Sequence, residues 1–159
     1  MRGNLVTLLD SIGVNRVLRL ASTASLWQDD APLVQFTSAL RYPVFVDGEN
    51  YTGAPSMLTT PLLRDQVMTG LAQELATLAG ALVVPLGPKV AEAAEALARQ
   101  GVLDPNRILA GLPHPSGANA ERIAFFLGRK PRAQLSSKVD ADKLLRARSA
   151  LEARIAAWA

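Results

Sequence analysis

Leu5, Leu8, Leu9 and Ile12 recur at intervals of three and four, and the run then meets Gly13. Such positions line one side of a 3.6-residue turn, so the pattern predicts a short amphipathic helix over 4–12 that stops at the glycine. A second turn around Val17 and Leu18, then a polar loop with Trp27, Asp29, Asp30 and Pro32, complete a first helical segment. Val34, Phe36, Val44, Phe45 and Val46 favour extended backbone, but Pro43 interrupts them. A strand from Leu33 to about Ala39 followed by a loop is therefore expected. The stretch Asp47-Gly48-Glu49-Asn50-Tyr51-Thr52-Gly53-Ala54-Pro55 is dense in turn formers and reads as an exposed loop.

Thr60-Pro61 has the form of an N-cap and a first-turn proline, and Leu63, Val67, Leu71, Leu75 and Leu78 continue an apolar face as far as Gly80. The apolar run Ala81-Leu82-Val83-Val84-Pro85-Leu86 predicts a short buried parallel strand. Gly87-Pro88 opens another helix, with Val90, Ala94 and Leu97 inward and Gly101 as its end. Arg107 to Leu112 predicts a third strand leading into a Pro-His-Pro-Ser loop, after which Ile123, Phe126 and Leu127 mark a helix stopped by Gly128. Asp140 caps a last helix whose Leu144, Arg148, Leu151, Ile155 and Trp158 form a stripe, placed as an outer helix on the sheet.

Strands alternating with helices predict an α/β fold, a three-layer α/β/α sandwich with a small, mainly parallel sheet. Ligands in such folds bind beyond the carboxyl ends of the strands. The loop after Ala39, the helix start at Gly87 and the loop holding His114 are thus expected to meet at one cleft. A length of 159 residues with 49% apolar side chains predicts a single domain over 1–159. No apolar run is long enough to span a bilayer and no secretory signal stands at the N-terminus, which predicts a cytoplasmic protein without membrane contact.

Cysteine is absent and His114 is the single histidine. That composition excludes disulfides and a thiolate nucleophile, and it argues against a metal site or any other cofactor. Net charge is +3, but residues 121–159 hold nine Lys/Arg against four Asp/Glu, whereas 1–120 hold eight against ten. A basic C-terminal quarter suits a phosphate backbone, and equally a solubilising helix face.

Two places carry candidate chemistry. Gly87-Pro88-Lys89 sets free amides and a lysine at a helix N-terminus, a candidate phosphate cradle, although a glycine cap with proline at the first helical position also simply starts a helix. Pro113-His114-Pro115-Ser116-Gly117-Ala118-Asn119 brackets the histidine between prolines and adds a hydroxyl and approachable amides; its plainer reading is a turn and an N-cap. A serine hydrolase is excluded, because His114 and Ser116 share one proline-fixed loop and no second histidine can act as base.

Leu82-Val83-Val84-Pro85-Leu86-Gly87, a following helix, and then Gly111-Leu112-Pro113-His114-Pro115-Ser116-Gly117-Ala118-Asn119 resemble consecutive strand ends of the uracil-DNA glycosylase superfamily. In order and spacing the resemblance runs from about Leu33 to Gly128. It implies a base-flipping hydrolase of the N-glycosidic bond of uracil or a related damaged base in DNA, working in base excision repair. His114 would then be catalytic, donating a hydrogen bond to the departing base. Pro115, Ser116, Gly117, Ala118 and Asn119, with Gly87 and Lys89, would contact DNA. Ser38, Arg41 and Tyr42 would face the base, with Thr37 and Tyr51 nearby.

Two departures accompany the resemblance. Thr37 or Ser38 stands where the family usually has an asparagine reading the uracil edge, and nothing before Leu33 matches the loop that positions the attacking water. The second departure reads as an N-terminally incomplete domain lacking its first strand. Two alternatives remain beside hydrolysis: a non-catalytic module of the same fold binding nucleic acid or a nucleotide, and a scaffold whose exposed surfaces pair copies into a homo-oligomer.

Overall fold

The computed structural model describes residues 1–78 and 80–158. Helical segments of all kinds take up 54% of them. Two compact units form, one from Met1–Gln35 with Leu109–Ala159 and the other from Phe36–Ile108. The expected three-layer α/β/α sandwich is overturned. Strands are confined, among the described residues, to an antiparallel pair of two residues each, plus one isolated parallel bridge.

In the first unit α1 (Arg2–Ile12) buries Leu5, Leu8, Leu9 and Ile12, and Gly13 ends it in the left-handed conformation at φ 91°. That conformation costs glycine little and other residues more. A one-turn helix α2 (Val14–Val17) follows, and 3₁₀ turns at Thr23–Trp27 and Ala31–Leu33 replace the expected polar loop. Asp10 ties this corner together: its carboxylate accepts from the Ser22 hydroxyl at 2.6 Å, and from the Thr23 amide and hydroxyl at 2.8 Å each.

The expected strand 33–39 does not form: Leu33 ends the 3₁₀ turn and 34–39 run in irregular backbone, with Leu33 54% exposed and Phe36, where the second unit begins, 60% exposed. Alternation yields a strand only where another strand pairs with it, and none of the described strands does. The turn-rich segment instead makes the molecule's hairpin. Strands β1 (Phe45–Val46) and β2 (Glu49–Asn50) pair around Asp47 and Gly48, whose φ values of 51° and 83° are both positive. Two positive φ angles define the turn whose twist matches a two-residue hairpin, and Asp-Gly is its preferred pair.

The helix expected from Thr60 to Gly80 forms in three pieces: α3 (Pro61–Asp65), a π-helical segment Gln66–Leu71, and α4 (Ala72–Thr77). Its buried residues Leu63, Val67, Leu71 and Leu75 are spaced by four. In an α-helix each such step drifts about 40° around the axis, and the wider π turn rotates the row back toward one side. Next, α5 (Pro88–Arg99) buries Ala93, Ala94, Ala96 and Leu97.

Of the expected parallel sheet, one bridge survives: Val83 pairs with Ile108, and the Val83 amide donates to the Arg107 carbonyl at 2.8 Å. Two causes stop the ladder there. Pro85 lacks a donor, and the Ala81 carbonyl is occupied by the Arg107 side chain, whose Nε donates to it at 2.6 Å. Arg107 Nη2 also donates to the Leu78 carbonyl at the end of α4, where the helix dipole favours a cation.

Returning to the first unit, α6 (Ala120–Phe126) and α7 (Ala141–Ala156) fill its core with Ile123, Phe126, Leu151 and Ile155. Asp140 caps α7 as expected, accepting from the Lys143 amide at 2.9 Å. This helix does not lie on a sheet; it packs on α1 and α6. Gly111 has φ 111°, and a Cβ built there would stand 3.0 Å from the Ala147 Cβ, so α7 approaches bare backbone. Among the described residues no helix is long and apolar enough to cross a membrane.

Candidate functional site

The loop 113–119 lies in the first unit and is held from three sides. Pro113 and Pro115 are buried, while Gly117 and Ala118 are exposed. From α1, Asn4 Nδ2 donates to the Pro115 carbonyl at 3.0 Å. Asn119 Nδ2 donates to Ser116 Oγ at 3.1 Å, and Arg122 Nη1 donates to Asn119 Oδ1 at 3.2 Å. Arg122 Nη2 reaches on to the Lys138 carbonyl at 2.7 Å. The expected N-cap role of this loop is modified: Gly117–Asn119 form a 3₁₀ turn that runs into α6.

His114 is half-buried, and its Nδ1 accepts from the Ser116 amide at 3.3 Å. An accepting Nδ1 leaves the proton of the neutral ring on Nε2, which is then the donor that a ligand meets. Among the described residues no carboxylate hydrogen-bonds to His114. The carboxylates of Asp10, Glu121, Asp140, Asp142 and Glu152 in this unit all accept hydrogen bonds from other groups.

The basic quarter surrounds α6 and α7 in sequence. Lys130, Arg132 and Arg148 pair with Glu121, Asp142 and Glu152 at 2.7, 2.7 and 2.8 Å. Arg129, Lys138, Lys143 and Arg146 make no ion pair among the described residues. Lys130, together with the hydroxyl and amide of Ser136, holds the Glu121 carboxyl down to about 2. The Arg132 fork on both oxygens of Asp142 lowers that carboxyl as well, and raises Arg132 in return.

The other expected site residues belong to the second unit. Gly87, at φ 116°, precedes α5, and Lys89 in its first turn binds Glu92 through contacts of 3.0 Å to both carboxylate oxygens. Its charge is thus matched by its own helix. The Lys89 stem passes Gly53, where an added Cβ would come within 3.2 Å of Cγ.

Ser38 and Arg41 line a cavity of about 350 Å³ together with Phe36, Thr37, Gly70, Leu71 and Glu74. Thr37 Oγ1 donates to Glu74 Oε2 at 2.7 Å. Tyr42 is not a lining residue; it is 65% exposed, and its amide donates to Gln66 Oε1 at 3.0 Å. The Tyr51 hydroxyl donates to the Pro55 carbonyl at 2.7 Å, a contact within its own loop. Sequence reasoning passed over Glu74 and Gly70. Their signal was a glycine inside a helical pattern, with a carboxylate one turn later.

Comparison with known proteins gives one named likeness. The chain is 37% identical over 132 residues to the uncharacterized protein YoxB of Bacillus subtilis (strain 168), an alignment covering 82% of this chain. It spans about half, 52%, of that relative's length. No protein-family profile matches the chain, and no solved structure matches it.

Proposed function

We propose that the first unit is a nucleic-acid-binding module whose contact element is the loop His114–Asn119. One observation carries the reading: the loop is clamped by Asn4, Asn119 and Arg122, yet it leaves Gly117 and Ala118 exposed and the His114 Nε2 as a donor. Pre-set donors of this kind suit phosphates and base edges, because little freedom is lost on binding. Arg129, Lys138, Lys143 and Arg146 add positive charge for the backbone. The test is affinity for a single- or double-stranded oligonucleotide across a salt series. Log affinity should fall linearly with log salt, and replacing one phosphate-contacting Lys or Arg with alanine should reduce the slope by about 1. A flat or absent response would end the proposal.

A second reading keeps the glycosylase chemistry that the loop resembles. The donor state of Nε2 favours it, since a neutral imidazole donating to a base oxygen stabilises charge on the leaving group. Against it stands the missing parallel sheet, so binding without cleavage is the leading reading. Release of uracil from DNA decides between them. Hydrolysis lowered at least about tenfold by His114→Ala supports the second reading. No release, with salt-dependent binding intact, supports the first.

A further inference from the structure

We propose, resting on the nucleic-acid reading of the first unit, that Lys138 belongs to the same contact as the loop His114–Asn119 and that Arg122 is the positioning residue that holds it there. Three side chains and one carbonyl form a continuous relay between the two. Asn119 Nδ2 donates to Ser116 Oγ at 3.1 Å, Arg122 Nη1 donates to Asn119 Oδ1 at 3.2 Å, and Arg122 Nη2 donates to the Lys138 carbonyl at 2.7 Å. The donors of a guanidinium sit in a fixed planar fork, so the arm on Asn119 sets where the other arm takes the Lys138 carbonyl. Arg122 is half-buried and both its terminal nitrogens face protein acceptors, so its part is placement. At the far end, the Ser116 oxygen accepts from Asn119 and its hydroxyl hydrogen is left for an acceptor outside.

A second anchor fixes the same segment. Ser136 donates its amide and hydroxyl to Glu121 at 3.0 and 2.6 Å, and Lys130 holds that carboxylate at 2.7 Å. The backbone 136–138 is therefore tied to neighbouring residues of α6 at two points. Its carbonyl is used within the protein, while the Lys138 side chain is exposed and makes no ion pair among the described residues. Carboxylates close to it in the fold or the sequence are engaged: Glu121 by Lys130, Asp142 by Arg132, and Asp140 as the cap of α7.

Arg129, Lys143 and Arg146 are also without an ion pair, but among the described residues no such relay joins them to the loop. A phosphodiester strand offers further phosphates beyond the one at the loop. A cation whose backbone is already fixed beside that loop takes one of them with little ordering cost, which sets Lys138 apart from cations that add charge alone.

Anisotropy of a labelled oligothymidylate with the full chain, over a salt series, tests the proposal. Lys138→Ala should reduce the log–log slope by about 0.7, the value for one phosphate contact on a single strand, and weaken binding at least about threefold. Arg122→Gln should weaken binding by a similar factor. Adding Lys138→Ala to it should cost less than about 1.5-fold more, because the lysine is no longer held. Lys143→Ala, outside the relay, should have the same effect in both backgrounds. Amide NMR shifts of Arg122→Gln confined to the surroundings of 116–122 and 136–138 check that the fold is kept. Equal effects of Lys138→Ala with and without Arg122→Gln overturn the placement. An unchanged slope in Lys138→Ala overturns the contact, and does so even if Arg122→Gln fails to fold. Either result with salt-dependent binding of the parent chain leaves the nucleic-acid reading standing, whereas flat or absent binding of the parent ends both.

Discussion

Arg107 shows how one side chain can substitute for a ladder. Only 9% exposed, it sends Nε and Nη2 to the Ala81 and Leu78 carbonyls, acceptors that would otherwise face a strand partner or solvent. Arg107→Met fills the volume and leaves both carbonyls unmatched, so a loss of about 2–4 kcal/mol in urea unfolding is expected. Gly111 is a second such position. Gly111→Ala forces a side chain into φ 111° and within 3.0 Å of Ala147, and should cost about 1–3 kcal/mol. Adding Ala147→Gly relieves the contact and not the backbone strain, so thermal unfolding of the double variant should recover only part of the loss.

At the scale of elements, legibility followed local chemistry. α1, α5, α6 and α7 were readable because a row of apolar residues three and four apart agrees with a boundary signal in each: a glycine stop after α1, α5 and α6, and the Asp140 cap before α7. The strands failed for lack of any local signal of a partner. Leu33–Ala39 and Ala81–Leu86 carry the right residues, but pairing depends on segments distant in sequence, and Pro43 and Pro85 withhold donors where a ladder would continue. The hairpin was missed although Asp47-Gly48 announces it, since the strands on either side are two residues long. The π turn left a trace in the strict four-residue spacing from Leu63 to Leu75.

Of the candidate site, the clamped loop at His114 and the two cavity residues Ser38 and Arg41 were legible. Glu74 and Gly70 were not, because only the fold puts them beside residues some thirty positions earlier.

The anchor between α6 and the following loop supplies a pH test. The Glu121 carboxyl, held at about 2 in the fold, titrates near 4.5 when unperturbed. A lowered folded value stabilises the fold fully above pH 4.5 and loses that stabilisation as pH falls toward 2. Glu121→Gln should therefore lower the midpoint temperature at pH 7, with the gap from the parent chain closing on acidification through that window. A gap constant from pH 7 to 2 would remove the Lys130 and Ser136 contacts from the account.

For the whole molecule, the order of the chain matters more than its content. The first unit joins residues 1–35 to 109–158 and encloses the sequence of the second between them. Leu151 is 2% exposed, on a helix that packs against both α1 and α6. Leu151→Ala should cost about 2–5 kcal/mol, with slow amide exchange lost first in residues 2–12, 120–126 and 141–156.

That arrangement has a consequence during synthesis. Leu5, Leu8, Leu9 and Ile12 are synthesised roughly 130 residues before α7, the helix that packs on α1. At about 5–20 residues per second, α1 waits roughly 7–30 seconds for its cover. A nascent chain with an uncovered leucine row is what chaperones hold, so the first unit matures only once α7 has been made, and its apolar stripe depends on being shielded until then.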